Sequence, residues 1–252
     1  MENQHSNNAV AGKLFMAIAI VISAFLLAGA WERSHYSNAN KKTIAVTGSA
    51  QRNFTSDLIV WQGSFSKRSM NLKEAYSLLN TDNEIIRKYL IKKGVKEDEI
   101  KFSSITINRQ YDYRYNDKGM LMSSNFTGYE LVQNVTIESN DVDKVEKISR
   151  EVTELINDNI ELFSSNPSYF YTQLAGLKHE ILKDATTDAK IRAETLANNA
   201  GSRLRKLVKS SMGVFQITGQ NTSEDFSYGG AFNTSSKNKT ITVTVNLEYS
   251  LE

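Results

Sequence analysis

The chain has 252 residues, of which 23% are charged, with both signs represented, and its net charge is +2. A balance this close to neutral gives no electrostatic reason to expect a nucleic-acid partner. The chain contains no cysteine, which excludes disulfides, thiolate metal sites and a cysteine nucleophile. The length is sufficient for a sizeable core, in one large domain or in two small ones.

The N-terminal part contains the longest apolar run. Residues 1–12 form a polar tail, and Leu14–Trp31 carries no charge after Lys13. At about 1.5 Å per residue this run is close to the thickness of a bilayer core, so we assign residues 13–31 to a transmembrane anchor or a signal peptide. The length of the run and Trp31 favour a retained anchor, whereas Ala28-Gly29-Ala30 is typical of a cleavage site.

Both alternatives predict that the remaining chain is exported, because no second apolar run follows. With an anchor, the protein is a single-pass protein of the cell membrane, held through residues 14–31 with its domain on the extracytoplasmic side. With cleavage after Ala30, it is released into the periplasm. Residues 32–42 have no apolar periodicity and are interpreted as a spacer.

The first half of residues 43–252 predicts strands, a helix and a hairpin. Thr43–Gly48 and Asp57–Ser66 are rich in β-branched and aromatic residues and predict strands. A helix is expected from Leu72 to Lys93, ended by Gly94. Its apolar face contains Leu72, Ala75, Leu79, Ile86 and Leu90. Two further strand-like runs, Ile100–Tyr115 and Phe126–Ser139, flank Asn116–Gly119, whose residues are typical of a turn and predict a long hairpin.

The second half alternates the same element types. A helical stripe follows Asp141, short extended pieces flank Pro167, and a long helix occupies Gln173–Asn199. Lys206–Ile217 predicts a strand, and Lys239–Tyr249 alternates with the period of a half-buried strand. The fold class is therefore α+β, with mixed, largely antiparallel sheets, a long alanine-rich helix packed on one face, and one N-terminal transmembrane or signal helix.

The long helix is expected to pack closely, because its apolar stripe is mostly alanine. Members of the stripe step by three or four residues, which is one face of a helix. They are Leu174, Leu177, Ile181, Ala185, Ala189, Ala193, Leu196 and Ala200. Asp184 and Asp188 on the same helix are explained by charge pairs with Lys183, Lys190 and Arg192 rather than by catalysis. His179 has no His or Cys partner that would make it a metal ligand.

Three tyrosines, Tyr111, Tyr113 and Tyr115, alternate along the first strand of the predicted hairpin. They share one face, and Asp112 and Arg114 share the other. The tyrosines could form an interaction face for a sugar, a peptide or a second subunit. The simpler interpretation is a face packed on its own domain; if the tyrosines are exposed, a subunit contact is favoured over carbohydrate.

A basic cluster follows the long helix, formed by Arg203, Arg205, Lys206 and Lys209. Anionic lipid headgroups are one conceivable partner. Favourable charge near the helix C-terminus is the simpler explanation. Because no catalytic, phosphate-binding, dinucleotide or zinc motif is found, we predict no catalytic residue, no cofactor and no metal site.

Several segments together resemble the SIMPL-domain family of YggE-like exported bacterial proteins. Ile44–Ala50 resembles the family's opening strand, and Gly128-Tyr129 its hairpin return. Ala75–Asn80, Leu90–Val95 and Asp98–Ile100 resemble its first helix and exit. The strongest likeness is Asp184–Gly201, which is similar to the family's alanine-rich helix. The resemblance extends over nearly all of 42–251, and we therefore assign residues 43–252 to a SIMPL-like domain.

This resemblance implies an α+β domain outside the cytoplasmic membrane with no established catalytic activity. Relatives of this kind are associated with envelope and oxidative-stress phenotypes, and some form large homo-oligomeric rings. We therefore expect a non-enzymatic, membrane-tethered protein that binds copies of itself. The alternative is an extracytoplasmic binding module for a peptide, lipid or glycan, with Tyr111, Tyr113 and Tyr115 as its contact face.

Overall fold

The computed structural model of the protein describes residues 21–29 and 42–252. Residues 21–29 are helical, and no helix within the described ranges is both long and apolar enough to cross a membrane. The polar tail at 1–12, most of the apolar segment 13–31 and nearly all of the spacer 32–42 lie outside the described residues. The assignment of an anchor or signal peptide therefore stays a prediction.

The fold is α+β, as expected, with ten strands and three helices in residues 42–252. In chain order they are β1 (Thr43–Thr55), β2 (Leu58–Ser69), α1 (Leu72–Lys92), β3 (Ile100–Phe102), β4 (Thr106–Tyr115), β5 (Leu121–Ser139), α2 (Val142–Glu151), β6 (Leu162–Ser164), β7 (Ser168–Phe170), α3 (Leu174–Asn199), β8 (Leu204–Met212), β9 (Gln216–Gly219) and β10 (Asn238–Leu251). Short 3-10 helices occupy Glu97–Glu99 and Val152–Asp158.

The strands form two sheets. One sheet has the order β3-β5-β2-β6, with β4 paired to β5 and β7 paired to β2, and its pairings are antiparallel. The other has the order β1-β10-β8, with β9 also paired to β10. In it β10 pairs antiparallel with both β8 and β9. The antiparallel character predicted from the sequence is confirmed.

The chain divides into two compact units. The first contains residues 42–48 together with Thr186–Met212 and Val245–Glu252. The second contains Ser49–Ala185 and Gly213–Thr244. The boundaries fall within β1, α3 and β10, so each of these elements contributes residues to both units.

The second unit has a continuous apolar core between its six-stranded sheet and α1 and α2. The largest fully buried side chains of the sheet are Trp61, Phe65, Ile59, Leu131 and Ile137. The indole N–H of Trp61 donates to Ser164 Oγ at 2.9 Å, which satisfies the one polar atom of this buried side chain. From α1 the core receives Ala75, Leu79, Ile86 and Leu90, which confirms that predicted face except for the exposed Leu72.

Helix α3 covers the predicted range, but its buried line differs from the predicted stripe. The buried residues are spaced by four throughout: Leu177, Ile181, Ala185, Ala189, Ala193 and Ala197. The assignment of Leu196 and Ala200 to the stripe was wrong, because Leu196 is 53% exposed and Ala197 is fully buried in its place. The small size of four of these six residues agrees with the expected close packing.

Strand β1 is the neighbour of α3 within each unit. In the second unit the guanidinium of Arg52 in β1 forms ion pairs with Glu180 and Asp184 of α3. In the first unit Ala45 and Val46 of β1 and Ile191 and Leu196 of α3 line one groove. Asp184 therefore pairs with a residue of the sheet rather than with a cation of its own helix.

The last strands follow the sequence pattern with one difference. Alternate residues of β10 are buried, namely Ile241, Val243, Val245 and Leu247, as the period of two predicted. The single strand expected over Lys206–Ile217 is instead two strands, β8 and β9, separated by 213–215. The two strands pair with different parts of β10, so the chain must turn between them.

The buried line of α3 gives a first prediction. Ala189→Leu introduces three heavy atoms at a fully buried position, and we expect it to lower the free energy of unfolding by about 1–3 kcal/mol because overpacking strains its neighbours. Ala175→Leu, at an exposed position of the same helix, is the matched control and should change it by less than about 0.5 kcal/mol. Urea unfolding followed by circular dichroism measures both, and equal losses would contradict the assignment.

Candidate functional site: an exposed hairpin arm

Strands β4 and β5 are joined by the turn that the sequence predicts. The side-chain Oδ1 of Asn116 accepts hydrogen bonds from the backbone N–H groups of Lys118 at 3.0 Å and Met120 at 2.9 Å. Gly119 has a φ of 74°, in the left-handed region that glycine adopts most easily. The turn and the long hairpin are therefore confirmed.

The outer part of this hairpin has only two strands. β2 pairs with β5 from Ile59 opposite Ser139 to Ser69 opposite Tyr129, and β3 pairs with β5 only at residues 135–137. Beyond Tyr129, β5 has no strand partner except β4 in the described part of the chain. We call residues 109–128 the hairpin arm. At about 3.4 Å per residue its β5 side extends for about 25 Å.

The base of the arm is fixed by charge and by backbone geometry. Glu130 accepts hydrogen bonds from Arg68 Nε at 2.8 Å and from Gln110 Nε2 at 2.7 Å. Gly128 has a φ of 129°, and a Cβ at this position would lie 2.7 Å from the carbonyl oxygen of Ser69. Gln110 faces Gly128 while Tyr111 faces Phe126, so β5 carries one extra residue at this point. Such a bulge bends a ribbon and increases its twist.

The three tyrosines of β4 lie on this arm and are exposed. Their exposed fractions rise toward the tip, from 39% at Tyr111 to 51% at Tyr113 and 62% at Tyr115. The ring centroids of Tyr111 and Tyr113 are 6.1 Å apart, as expected for alternate residues on one face. Asp112 and Arg114 approach each other to 3.9 Å, in agreement with their expected common face. All three tyrosines are therefore exposed in the described part of the chain, and their role as an interaction face stays a prediction.

Other apolar side chains extend the exposed surface of the arm. Phe126 packs edge-on against both Tyr111, at 5.6 Å, and Tyr129, at 5.1 Å. The tip exposes Met120, Leu121 and Met122, which the sequence analysis did not single out. Their signal in the sequence is a run of large apolar residues directly after a turn, where a soluble hairpin normally has polar residues.

An apolar groove lies next to the base of the arm. It has a volume of about 550 Å³. Its walls come from the start of α1, the strands β4 and β5 and the segment before β4. It is lined by Leu72, Tyr76, Ile105, Ile107 and Leu131. Ile107 belongs to β4 and is exposed, so apolar surface continues from the groove toward the arm.

This arrangement is suited to binding. A two-stranded ribbon is only marginally stable in water, and exposed apolar patches of this extent mark interaction sites. Tyrosine and methionine are also enriched at protein interfaces. The arm therefore has the composition and the exposure of a contact surface for a macromolecular partner.

The structure places the remaining candidate residues from the sequence in ion pairs or at the surface. Asp184 pairs with Arg52, and Asp188 pairs with Arg192 at 2.9 Å. His179 is exposed. Within the described ranges, no three His, Cys, Asp or Glu side chains are grouped closely enough to hold a metal ion.

A polar cleft of about 580 Å³ is formed at the N-terminus of α2. Its charges neutralise one another. Lys144 binds Asp141 at 2.5 Å and lowers the pKa of that carboxyl, and Asp143 binds Lys237 and raises the pKa of its amine. Ser56 also lines the cleft, and its hydroxyl has no hydrogen-bond partner among the described residues. The paired charges leave no single ligand class that this cleft favours.

Lys239 is a buried titratable group that the sequence analysis missed. Its side chain is only 2% exposed and donates a hydrogen bond to the backbone carbonyl of Tyr169. Burial disfavours the charged amine and lowers the pKa of Lys239 from 10.5 to about 8. In the sequence Lys239 occupies a core-facing position of the β10 alternation, and that is the signal that could have identified it.

The titration of Lys239 gives a second prediction. Between pH 8 and 10.5 the unfolded chain binds more protons at this lysine than the folded chain does, so the free energy of unfolding should rise with pH in this window. The rise is about 1.4 kcal/mol for each unit by which the pKa is lowered. Lys239→Met should remove this rise. Urea unfolding at a series of pH values measures it.

The exposed Lys73 provides the control, since Lys73→Met should keep the pH dependence of the natural protein. Parallel curves for Lys239→Met and the natural protein would show that Lys239 does not titrate in this range.

Comparison with known proteins agrees with the resemblance seen in the sequence. No curated protein matches the chain. A family model, SIMPL, described as a protein of unknown function (DUF541), matches residues 44–249. The matched range includes every strand and helix from β1 to β10 apart from their outermost residues. On this evidence the chain belongs to the SIMPL family.

Proposed function

We propose that this protein is a non-enzymatic, membrane-tethered, extracytoplasmic SIMPL-domain protein that self-associates through its hairpin arm. In this proposal residues 14–31 hold the chain in the cell membrane, and the assembly has an envelope-related or oxidative-stress-related role. The observation that carries the proposal is the exposure of Tyr111, Tyr113 and Tyr115 on a two-stranded ribbon.

Three features of the arm support a second copy of the chain as the partner. The arm extends past the last residue of β2, so its own unit leaves both of its faces uncovered. Large aromatic or apolar side chains are exposed on both of its strands, which favours a protein partner over a polar small molecule. The groove beside Ile107 offers an apolar surface of the same kind on every copy. An arm that binds a different surface on the next copy makes a heterologous contact, which closes into a ring or continues as a filament.

The second candidate function is an extracytoplasmic binding module for a peptide, lipid or glycan. The favouring observation is the pair formed by Tyr111 and Tyr113, whose tilted rings lie side by side on one face. Aromatic rings with polar tips provide rigid contact area for such ligands.

Replacement of Tyr111, Tyr113 and Tyr115 by serine separates the two candidates. We expect the full chain to sediment as an assembly in mild detergent and the triple variant to sediment as a smaller species, because the exposed aromatic surface is lost. Analytical ultracentrifugation with detergent matched in density measures the change.

The matched control is the triple variant Phe226→Ser, Tyr228→Ser and Phe232→Ser, which removes three exposed aromatic residues outside the arm. It should sediment as the natural protein does. A natural chain that is strictly monomeric would refute self-association. Unchanged assembly with loss of a small molecule that co-purifies from intact cells, seen by native mass spectrometry, would favour the binding module.

A further inference from the structure

Strand β8 is an outer strand that exposes positive charge from its beginning to Lys209. It pairs only with β10 among the described strands. Every residue of β8 after Leu204 is exposed, so neither face of this strand is covered within the first unit. Arg205, Lys206 and Lys209 belong to the strand, and Arg203 directly precedes it. We call these four residues the basic edge.

The end of α3 does not account for the basic edge. The helix ends at Asn199 and has no basic residue in its last turn. Its final carbonyl groups accept hydrogen bonds from the backbone N–H groups of Ala200, Gly201 and Ser202 instead. Lys209 lies about 20 Å along the strand from Arg203, whereas the influence of a helix end is confined to its last turn. The simpler sequence interpretation of these cations was therefore incomplete.

The cations of the basic edge also form no ion pair in the described part of the chain. Within residues 42–252 no ion pair involves Arg203, Arg205, Lys206 or Lys209, although Glu248 lies opposite Lys209 in the register. Leu207 and Val208 are about half exposed between the cations. A surface that mixes cations with a few apolar side chains is suited to the headgroup region of a membrane.

The chain enters the folded part beside the basic edge. The backbone N–H of Leu251 donates to the carbonyl of Lys42 at 2.8 Å, and that of Glu252 donates to the carbonyl of Arg203 at 2.9 Å. Lys42 and Arg203 therefore lie on either side of the end of β10. The connection from Trp31 to Lys42 can span at most about 40 Å, so an anchor at residues 14–31 keeps the basic edge near the bilayer.

Pairing of β8 with a strand of another copy is a poorer fit. The register with β10 shifts between Glu248 and Tyr249 and again between Tyr249 and Leu251. Such irregularities twist an outer strand and disfavour edge-to-edge pairing.

We propose that the basic edge of β8 binds anionic phospholipid headgroups of the bilayer that holds residues 14–31. This inference rests on the membrane tether of the proposed function. Together, the tether and the edge lay the first unit against the membrane surface. The contact is electrostatic and is weakened by salt.

The absence of cysteine makes the contact measurable with one introduced label. Ser210→Cys, at an exposed position of β8, carries a bimane group in the full chain reconstituted into vesicles with a headgroup-attached quencher. We expect strong quenching with about 30% phosphatidylglycerol and at least about twofold weaker quenching in pure phosphatidylcholine. Salt at about 0.5 M should also weaken it.

The test variant is Arg203→Gln, Arg205→Gln, Lys206→Gln and Lys209→Gln, which should lose the phosphatidylglycerol-dependent quenching. The control variant removes the same number of charges from exposed lysines outside the basic edge, the hairpin arm and the groove: Lys88→Gln, Lys92→Gln, Lys101→Gln and Lys147→Gln. It should be quenched like the natural protein.

Flotation with the vesicles reports the tether separately. A protein that floats with both kinds of vesicle but whose label is unquenched would overturn the headgroup contact and leave the tether intact. A protein that binds only vesicles with phosphatidylglycerol, and leaves them in high salt, would overturn the tether and retain the headgroup contact.

Discussion

The antiparallel pairing of β2 with β5 is the interaction on which the second unit depends. Its register runs without interruption from Ile59 opposite Ser139 to Ser69 opposite Tyr129. The same two strands supply the largest side chains of the core. Directly after Ser69 the side chain of Asn71 caps α1, which leads the chain back over the sheet. The end of β2 therefore sets both the limit of the core and the beginning of the hairpin arm.

One strand, β5, consequently lies in two environments. Over 131–137 it alternates between buried and less buried residues, as a strand between two neighbours with one covered face does. Over 121–127 it has a single neighbour, and its residues are nearly all exposed. The apolar residues of the two stretches are chemically alike, but only the inner stretch can bury them within its own chain. The outer stretch needs a surface from elsewhere, which is the physical basis of the proposed self-association.

Much of the fold could be predicted from local patterns. The features that were not predicted depend on which distant parts of the chain lie next to each other. The turn at Asn116, the buried face of α1 and the alternation in β10 depend on neighbouring residues, and all three are confirmed. Alternation places Tyr111 and Tyr113 on one face, but it does not tell whether another element covers that face. Lys239 was missed for a related reason. A lysine is normally expected to face solvent, and only its place in the alternation of β10 indicates that it is buried. The four cations of the basic edge could be identified from the sequence, but not that Lys42 lies across the end of β10 from Arg203, because the two residues are far apart in the sequence.

The four-residue spacing of the buried residues in α3 also explains why Leu196 was wrongly predicted to be buried. Four residues rotate about 40° more than a full turn of an α-helix. The line of buried residues from Leu177 to Ala197 therefore winds around the helix axis. A stripe on one fixed face of the helix, with an average spacing of 3.6 residues, includes Leu196. The observed spacing of four residues places Ala197 in the buried line instead. A shift of the helix by one residue would place Lys178, Lys190 and Glu194 at the buried positions, and the burial of such charges is costly. The small buried residues and the charged residues beside them therefore fix the position of the helix along its axis.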